Sequence, residues 1–595
     1  MEKSRLENFI HKKIAPQKLL SGLFLVITPI LIFYFTEFYL RNPFQTMKIG
    51  AQFLNIIFFE LFMVLGLFLF KKAKIALRLE LIIFTIVGLM NYYVLKFRSA
   101  PVMPWDIFSI RTAASVADNY DYSLNSKIIL LLVLSIALFF LISFCDISVT
   151  RIKFRLSGVI VSLLLMVGYV SYVQSDRALY DFRLYDKLFT PTTMTYKDGT
   201  VVAFCMQAQY LLVEQPEGYS TDKAIEILED YANSASSSLT ESPNIIVIMN
   251  EAFSDLEVLG EFETNEEPIP FVKSMLAGQE NTVSGYLHAS VLGGNTANSE
   301  YEFLTGHTMA FLPQGSIPYQ QYVKAEVPSL ASYLKDAGYS TIAIHPYKAT
   351  GWERNQVYPL LGFDQFISID DFHYPEIIRK YVSDKSQYEK IIEIYEDNKN
   401  EEPLFLFNVT MQNHSSYGDT FDNFTPEIQV QGSDDISLSN YLSLLKISDE
   451  EIKKLVTYFS KEEDPTLLVF FGDHQPTDSV VSDIWNLNNK KGTDMTPEEQ
   501  QLRYKVPFFI WANYDIEEQT GIETSMNYLS NFVLQTSGFE GTALHQYLKN
   551  LYQDFPVITC IQTMDSNGNS YEVKEWEEEL NEYSVLQYYS LFGED

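Results

Sequence analysis

The sequence predicts two folds in one chain: an α-helical membrane domain of five transmembrane helices in residues 1–175, and an outer α/β domain with a largely parallel central sheet in residues 241–595. A juxtamembrane linker at 176–240 is expected to join them. Three observations carry this prediction. Long apolar runs crowd the first third. Charge divides at the same place: residues 1–173 hold 18 Lys and Arg against 9 Asp and Glu, and the remainder holds 25 against 67, within a net charge of −33. After residue 240, short strand-like runs alternate with helical ones, the pattern of a parallel sheet. A chain of 595 residues also exceeds what one core accommodates.

Runs long enough to cross a bilayer fall at 19–40, 51–70, 79–95, 127–145 and 156–174. Lys12, Lys13 and Lys18 precede the first; Lys71, Lys72, Lys74 and Arg78 lie between the second and third; Arg151, Lys153 and Arg155 lie between the fourth and fifth. Placing all three groups inside satisfies the positive-inside rule, so five spans leave the N-terminus in the cytoplasm and everything after about 175 outside. Arg78 and Glu80 sit at the edge of the third span, and Glu37 and Glu60 lie within the first two. Intramembrane acids point to function unless they reach the interface. The Pro- and Trp-containing segment Arg98–Asp106 reads as an ordered surface or re-entrant loop.

The linker carries breakers at Pro191, Pro216 and Gly218, a helix at Thr221–Ala232 and the Ser-rich Ser234–Ser238. Buried strands are expected at Asn244–Met249, Thr341–His345, Leu404–Met411, Thr466–Phe471 and Pro507–Ala512. Helices are expected at Pro328–Ala337, stopped by Gly338, and at Leu438–Phe459, with an acidic solvated helix and tail at Glu572–Asp595.

Four of these strands run straight into polar groups: Asn250-Glu251, His345, Gln412-Asn413-His414 and Gly472-Asp473-His474. In open α/β sheets the ligand site lies at the carboxyl ends of the strands. Glu251, Asp473 and His474 are ordinary oxygen and nitrogen ligands for a divalent ion, though singly each also reads as a surface acid, a cap or a satisfied histidine. Thr296 lies in Gly293-Gly294-Asn295-Thr296-Ala297-Asn298-Ser299-Glu300, just before a helix at Tyr301–Leu304. There it is either an N-cap or a hydroxyl at a positive helix end, and to act as a nucleophile it needs a metal or a base. His345, Trp352, Arg354 and His414 form a second group, in which the Arg354 fork suits a phosphate and Trp352 a glycerol or sugar. His11, His288, His307, His373 and His545 have no such context.

Taken together, Asn-Glu-Ala-Phe-Ser-Asp at 250–255, Asn-Thr-Ala-Asn-Ser-Glu at 295–300, His345 with Gly-Trp-Glu-Arg at 351–354, Gln-Asn-His at 412–414 and Phe-Gly-Asp-His-Gln-Pro at 471–476 resemble the lipoteichoic acid synthases and related phosphoglycerol transferases of the alkaline phosphatase/sulfatase superfamily. The resemblance implies a sulfatase-like outer domain and one Mn²⁺-type ion (Mg²⁺ or Zn²⁺ being open) held by Glu251, Thr296, Asp473 and His474. Thr296 is then the nucleophile, His414 the proton donor to the leaving alkoxide, and His345, Trp352, Arg354 and His414 the phosphoglycerol-binding group. It further implies phosphatidylglycerol as donor, a glycerophosphate chain, glycolipid or cell-wall polysaccharide as acceptor, and a cell membrane of the Gram-positive type. Gly351 and Pro346-Tyr347 depart from the family's pocket and leave the acceptor open.

The sulfatase Cys/Ser-x-Pro-x-Arg motif is absent. The acidic outer part excludes a nucleic-acid partner. Cys145, Cys205 and Cys560 allow at most one disulfide outside the spans, Cys205–Cys560, and no cysteine-based zinc site. So few cysteines also disfavour a phosphoethanolamine transferase, the rival within the superfamily. The rival from another class is a non-catalytic, membrane-anchored binding protein.

Overall fold

The computed structural model describes residues 2–98, 101–107, 122–185, 191–211, 213–232, 242–313, 315–399, 402–490, 495–571 and 578–593. Two compact units divide the chain, Met1–Ile107 with Val116–Leu212, and Phe108–Ser115 with Val213–Asp595.

Helices stand at all five expected places in the first unit: Glu2–Leu40, Ile49–Phe70, Ala73–Arg98, Ser126–Leu141 and Ile152–Val173. Among the described residues, four are long and apolar enough to cross a membrane: Ser21–Leu40, Ile49–Phe70, Ser126–Phe144 and Ile152–Val173. On that measure the third expected span, Ala73–Arg98, is the exception. The Ala73–Arg98 helix opens with Lys74, Arg78 and Glu80, so its first half is too polar to count. It turns that polarity inward: Glu80 is buried, and Arg78 donates from Nε to the Phe139 carbonyl at 3.2 Å and from Nη2 to Ser143 at 2.6 Å.

The expected linker divides between the units. Helices Pro191–Asp198 and Thr200–Gln207 belong to the first, with Val201, Val202, Ala203, Cys205 and Met206 in its core. A buried clamp fastens them. Glu37 pairs with Arg41 at 2.7 Å and accepts the Thr200 N–H at 2.8 Å, as an acid at a helix N-terminus does. Arg41 donates to the carbonyls of Thr195 and Tyr196, and Asn55 donates to that of Asp198 at 2.7 Å. Glu37 is thus a packing acid of this unit. The Thr221–Ala232 helix packs instead in the second unit, with Ala224 and Ile227 against Tyr547 and Leu548. Ser99, Ala100, and Ser234–Ser238 lie outside the described residues. Beyond them, the Pro104–Ile107 turn is held by Asp106, which accepts the Met103 N–H at 2.7 Å.

In the second unit, ten strands carry the frame: β1 Asn244–Asn250, β2 Thr282–His288, β3 Ser340–Ile344, β4 Gln365–Ile367, β5 Ile377–Ile378, β6 Tyr381–Val382, β7 Leu404–Val409, β8 Thr466–Gly472, β9 Lys505–Ala512 and β10 Gln519–Ser525. Eight of them form one sheet in the order β10-β2-β9-β8-β1-β7-β3-β4, and β5 and β6 form a separate hairpin. β1 pairs parallel with β7 and β8, but β9 runs antiparallel to both of its neighbours, so the Pro507–Ala512 strand is not part of the parallel set.

Both faces of the sheet are covered. Ile245, Val247 and Met249 enter one core with Tyr301 and Leu330, and Ile246 and Ile248 enter the other with Leu445 and Ile452. The two-residue period of a strand explains why an unbroken apolar run serves both. The predicted helices stand at Leu330–Asp336, capped by Ser329, and Ile436–Phe459. The C-terminal helix Asn581–Phe592 is not solvated as expected: it buries Tyr583, Val585, Leu586 and Gln587. Residues 572–577 and 594–595 lie outside the described residues. The three cysteines are free thiols, so the possible Cys205–Cys560 bridge is not formed.

Candidate metal and nucleophile site

Central strands β1 and β8 end side by side, with Asn250 opposite Gly472. The chain then turns so tightly that a Cβ on Gly472 would meet the Phe253 carbonyl oxygen at 1.9 Å, so only glycine fits. This closeness lets the Asp473 carboxylate accept the Ala252 N–H at 2.7 Å and brings Glu251 to the same point. Glu251 is fixed from the other side by β7, where Thr410 accepts its N–H at 3.0 Å.

Glu251, Asp473 and His474 offer ligand atoms that all lie within 4.8 Å of one another, and all three are buried. His474 Nε2 is 3.3 Å from Asp473 Oδ2 and 3.9 Å from Glu251 Oε1. Thr296 donates to Glu251 Oε2 at 3.2 Å. It is the first residue of the helix Thr296–Thr305, not its cap, a position held by Asn295 in the left-handed region (φ 65°). Its hydroxyl therefore sits at the positive end of a fully buried helix.

The donor set fits a divalent cation. Asp473 Oδ2 and His474 Nε2 are buried with no hydrogen-bond partner. These two atoms lie 3.3 Å apart beside Glu251, where one shared cation would satisfy both. Burial, then the neighbouring Asp473, pushes the Glu251 carboxyl well above its usual range, and burial raises Asp473 as well. Two buried carboxyls this close stay ionised only if a cation sits between them.

The three site histidines share one device. Nδ1 of His474 lies 2.9 Å from the Gln475 carbonyl, Nδ1 of His414 lies 2.9 Å from that of Ser415, and Nδ1 of His345 lies 3.1 Å from that of Val409. A carbonyl only accepts, so each Nδ1 carries the hydrogen and each Nε2 keeps its lone pair. Burial first, then Arg354, holds His345 well below the usual imidazole range; burial, with a contribution from Arg379, lowers His414 to about 4. Both are neutral near pH 7. This alters the expectation for His414: a neutral imidazole must take up a proton before it can give one to a leaving group.

Arg354 is buried and not wholly free for a phosphate. Its Nε lies 3.0 Å from Glu300 Oε1, and Nη2 pairs with the same carboxylate. Tyr358 donates to Glu300 Oε2 at 2.8 Å. One edge of the fork is taken, leaving Nη1. Glu300 is four residues beyond Thr296 on one helix face, so the helix that bears the hydroxyl also aims the guanidinium. Sequence reasoning gave Glu300 no role, although it closes the Asn295–Glu300 motif. Trp352, at φ 54°, is held by packing, partly buried against the core around Tyr301.

Residues 243–538 match the sulfatase family. A putative cyclic β-1,2-glucan modification protein of Rhizobium meliloti is 30% identical over 409 residues, covering 67% of this chain and 62% of its own length. The lipoteichoic acid synthase of Staphylococcus saprophyticus is 24% identical over 346 residues, covering 55% of this chain and 51% of its own. The chain thus spans less than two thirds of these curated relatives. Among solved structures, the phosphoglycerol transferase GacH of Streptococcus pyogenes, in complex with sn-glycerol-1-phosphate, aligns with a TM-score of 0.52 at 21% identity, covering 64% of this chain and 96% of that one. That likeness extends to the fold. With a sulfatase-type domain built on this sheet and lipoteichoic acid synthases among its relatives, the chain belongs to the alkaline phosphatase/sulfatase superfamily.

Proposed function

We propose that this chain is a membrane-bound phosphotransferase that moves phosphoglycerol from phosphatidylglycerol to a carbohydrate-type acceptor through a phospho-threonine. The observation that carries the reading is the Thr296 hydroxyl hydrogen-bonded to Glu251 beside the orphaned Asp473 Oδ2 and His474 Nε2. A divalent ion held by Glu251, Asp473, His474 and Thr296, with Mn²⁺ first and Mg²⁺ or Zn²⁺ as alternatives, supplies Lewis-acid charge beside that hydroxyl. Thr296 Oγ1 attacks phosphorus, the bond to the diacylglycerol oxygen breaks, and a glycerophospho-threonine remains. An acceptor hydroxyl then displaces Thr296.

His414 Nε2 takes the proton of the attacking hydroxyl and returns it to the leaving oxygen. His345 Nε2 accepts from a glycerol hydroxyl, Trp352 packs on the glycerol, and Arg354 Nη1 with the helix N-terminus offsets charge on the phosphoryl oxygens. The name of the Rhizobium relative favours a polysaccharide acceptor over a lipoteichoic-acid chain or glycolipid. The rival donor is phosphatidylethanolamine.

We place the second unit outside the cell and the N-terminus in the cytoplasm. Contacts within the first unit bear on the number of crossings this needs. The basic turn after Ile49–Phe70 meets the turn after Ser126–Leu141: the Val149 N–H donates to the Lys71 carbonyl and the Ala73 N–H to that of Ile147. Two spans that end at one level fit an Ala73–Arg98 helix that crosses back between them, as a fifth crossing. Full-length protein with acyl-labelled phosphatidylglycerol, with and without Mn²⁺, tests the chemistry. Metal-dependent release of diacylglycerol that vanishes in Thr296→Ala is expected. Release at the parent rate in that variant would end the reading, and release only from phosphatidylethanolamine would transfer it to the rival donor.

A further inference from the structure

Arg379 is 5% exposed, yet it pairs with no carboxylate among the described residues. The other buried arginines of the second unit are matched, Arg354 with Glu300 and Arg503 with Asp478. Arg379 spends its fork on one short stretch of main chain. Nη2 donates to the carbonyls of Gln412 and His414, each at 2.7 Å, and Nη1 to that of Ser416 at 2.8 Å. It stands between β5 and β6, at φ 56°, a conformation the hairpin imposes. Two residues on, Tyr381 donates to the Ser415 carbonyl at 2.9 Å, with its hydroxyl 3.2 Å from His414 Nδ1. One hairpin thus grips every carbonyl from His414 to Ser416, and that of Gln412, while its tyrosine lies against the imidazole.

Burying a guanidinium with no carboxylate bonded to it is costly, and a neutral side chain could occupy the space more cheaply. What a neutral residue or a lysine lacks is a rigid planar fork that reaches three carbonyls at once. We propose that Arg379 is a positioning residue of the site: by clamping residues 412–416 it holds His414 with Nε2 directed at the reacting oxygen. The proposal rests on the proton-relay role of His414 given above. It assigns Arg379 no contact with substrate, and its effect should pass wholly through His414.

A double-mutant cycle on the full-length protein tests this, reading diacylglycerol release from acyl-labelled phosphatidylglycerol with Mn²⁺. Arg379→Lys, which keeps the charge, and Arg379→Met, which removes it, should each lower kcat by at least tenfold, with donor KM and bound metal unchanged. In a His414→Ala background either change should cost less than about twofold, because the residue being positioned is gone. A purely structural arginine would cost as much in that background as in the parent. Multiplying losses, or a raised KM with kcat intact, would overturn the proposal and leave His414 in its role. Parent-level kcat in His414→Ala alone would instead remove the relay reading and the proposal with it. If Arg379→Met does not fold, Arg379→Lys carries the cycle.

Discussion

Replacing Glu300 with glutamine tests whether the Thr296 helix aims Arg354 through a charge. Both partners are buried, with the Arg354 side chain 2% exposed and that of Glu300 0%. Screening by solvent is therefore negligible. Glu300→Gln keeps the shape and the Tyr358 contact but strands a guanidinium in the interior. Removing one member of a buried pair costs about 3–5 kcal/mol. For a unit of this size that corresponds to a fall in Tm of about 5 °C. Arg354 then swings toward whatever oxygen it can find, so donor KM and kcat both change. The assay is thermal unfolding of full-length protein in detergent, following the transition of the second unit, alongside diacylglycerol release. Glu300→Gln with Arg354→Met should recover most of the lost stability, since a neutral pair carries no stranded charge, yet stay slow in turnover. A single variant within about 0.5 kcal/mol of the parent, or a double variant as unstable as the two single losses added, would refute the reasoning.

Three further outcomes are expected. Glu251→Gln and Asp473→Asn should each lose bound Mn²⁺ and turnover together, whereas Thr296→Ala should keep most of its metal; metal analysis of the purified variants separates these. Gly472→Ala should destabilise the second unit by more than about 3 kcal/mol and abolish metal binding, because its Cβ has no room beside the Phe253 carbonyl. Burial pushes Glu302 up to about 7, although it accepts from Ser290 and the Met309 N–H. The folded state then binds this proton more tightly than the unfolded chain, so stability is fully present below the ordinary carboxyl range and is lost as pH rises through about 7. Glu302→Gln should flatten that part of the Tm-versus-pH curve, and an unchanged slope would assign the effect elsewhere.

Much of this site can be read in one dimension, for a physical reason. Strands β1, β3, β7 and β8 are mostly apolar because both faces are covered, and each stops where the candidate site begins, so Glu251, His345, His414 and Asp473 announce themselves by contrast. The candidate metal group, Glu251, Asp473 and His474, needed only that contrast and the resemblance. Strands β2 and β10 were missed because polar residues break their pattern. In β2, Gly285 reads as a breaker, although it is there because the Ile522 carbonyl lies 2.0 Å from where a Cβ would be. The pairing of Arg354 with Glu300 and the grip of Arg379 on residues 412–416 are contacts across 54 and about 35 positions, which no local period encodes. The buried Tyr583, Val585 and Leu586 of the C-terminal helix were hidden behind the acids that precede them, since a count of charge does not say which face of a helix carries it.

The clamp around Glu37 and Arg41 has a consequence for how the polypeptide is made. Both residues leave the ribosome early, within the first helix, but the Thr195 and Tyr196 carbonyls and the Thr200 N–H that engage them follow about 155 residues later. Asn55 likewise waits for Asp198. Until that stretch is synthesised, the nascent chain carries an ion pair and an amide whose intended partners do not yet exist. The first unit therefore closes only once its own far end is made, and a chain cut short before Thr195 is an unfinished bundle rather than a small one.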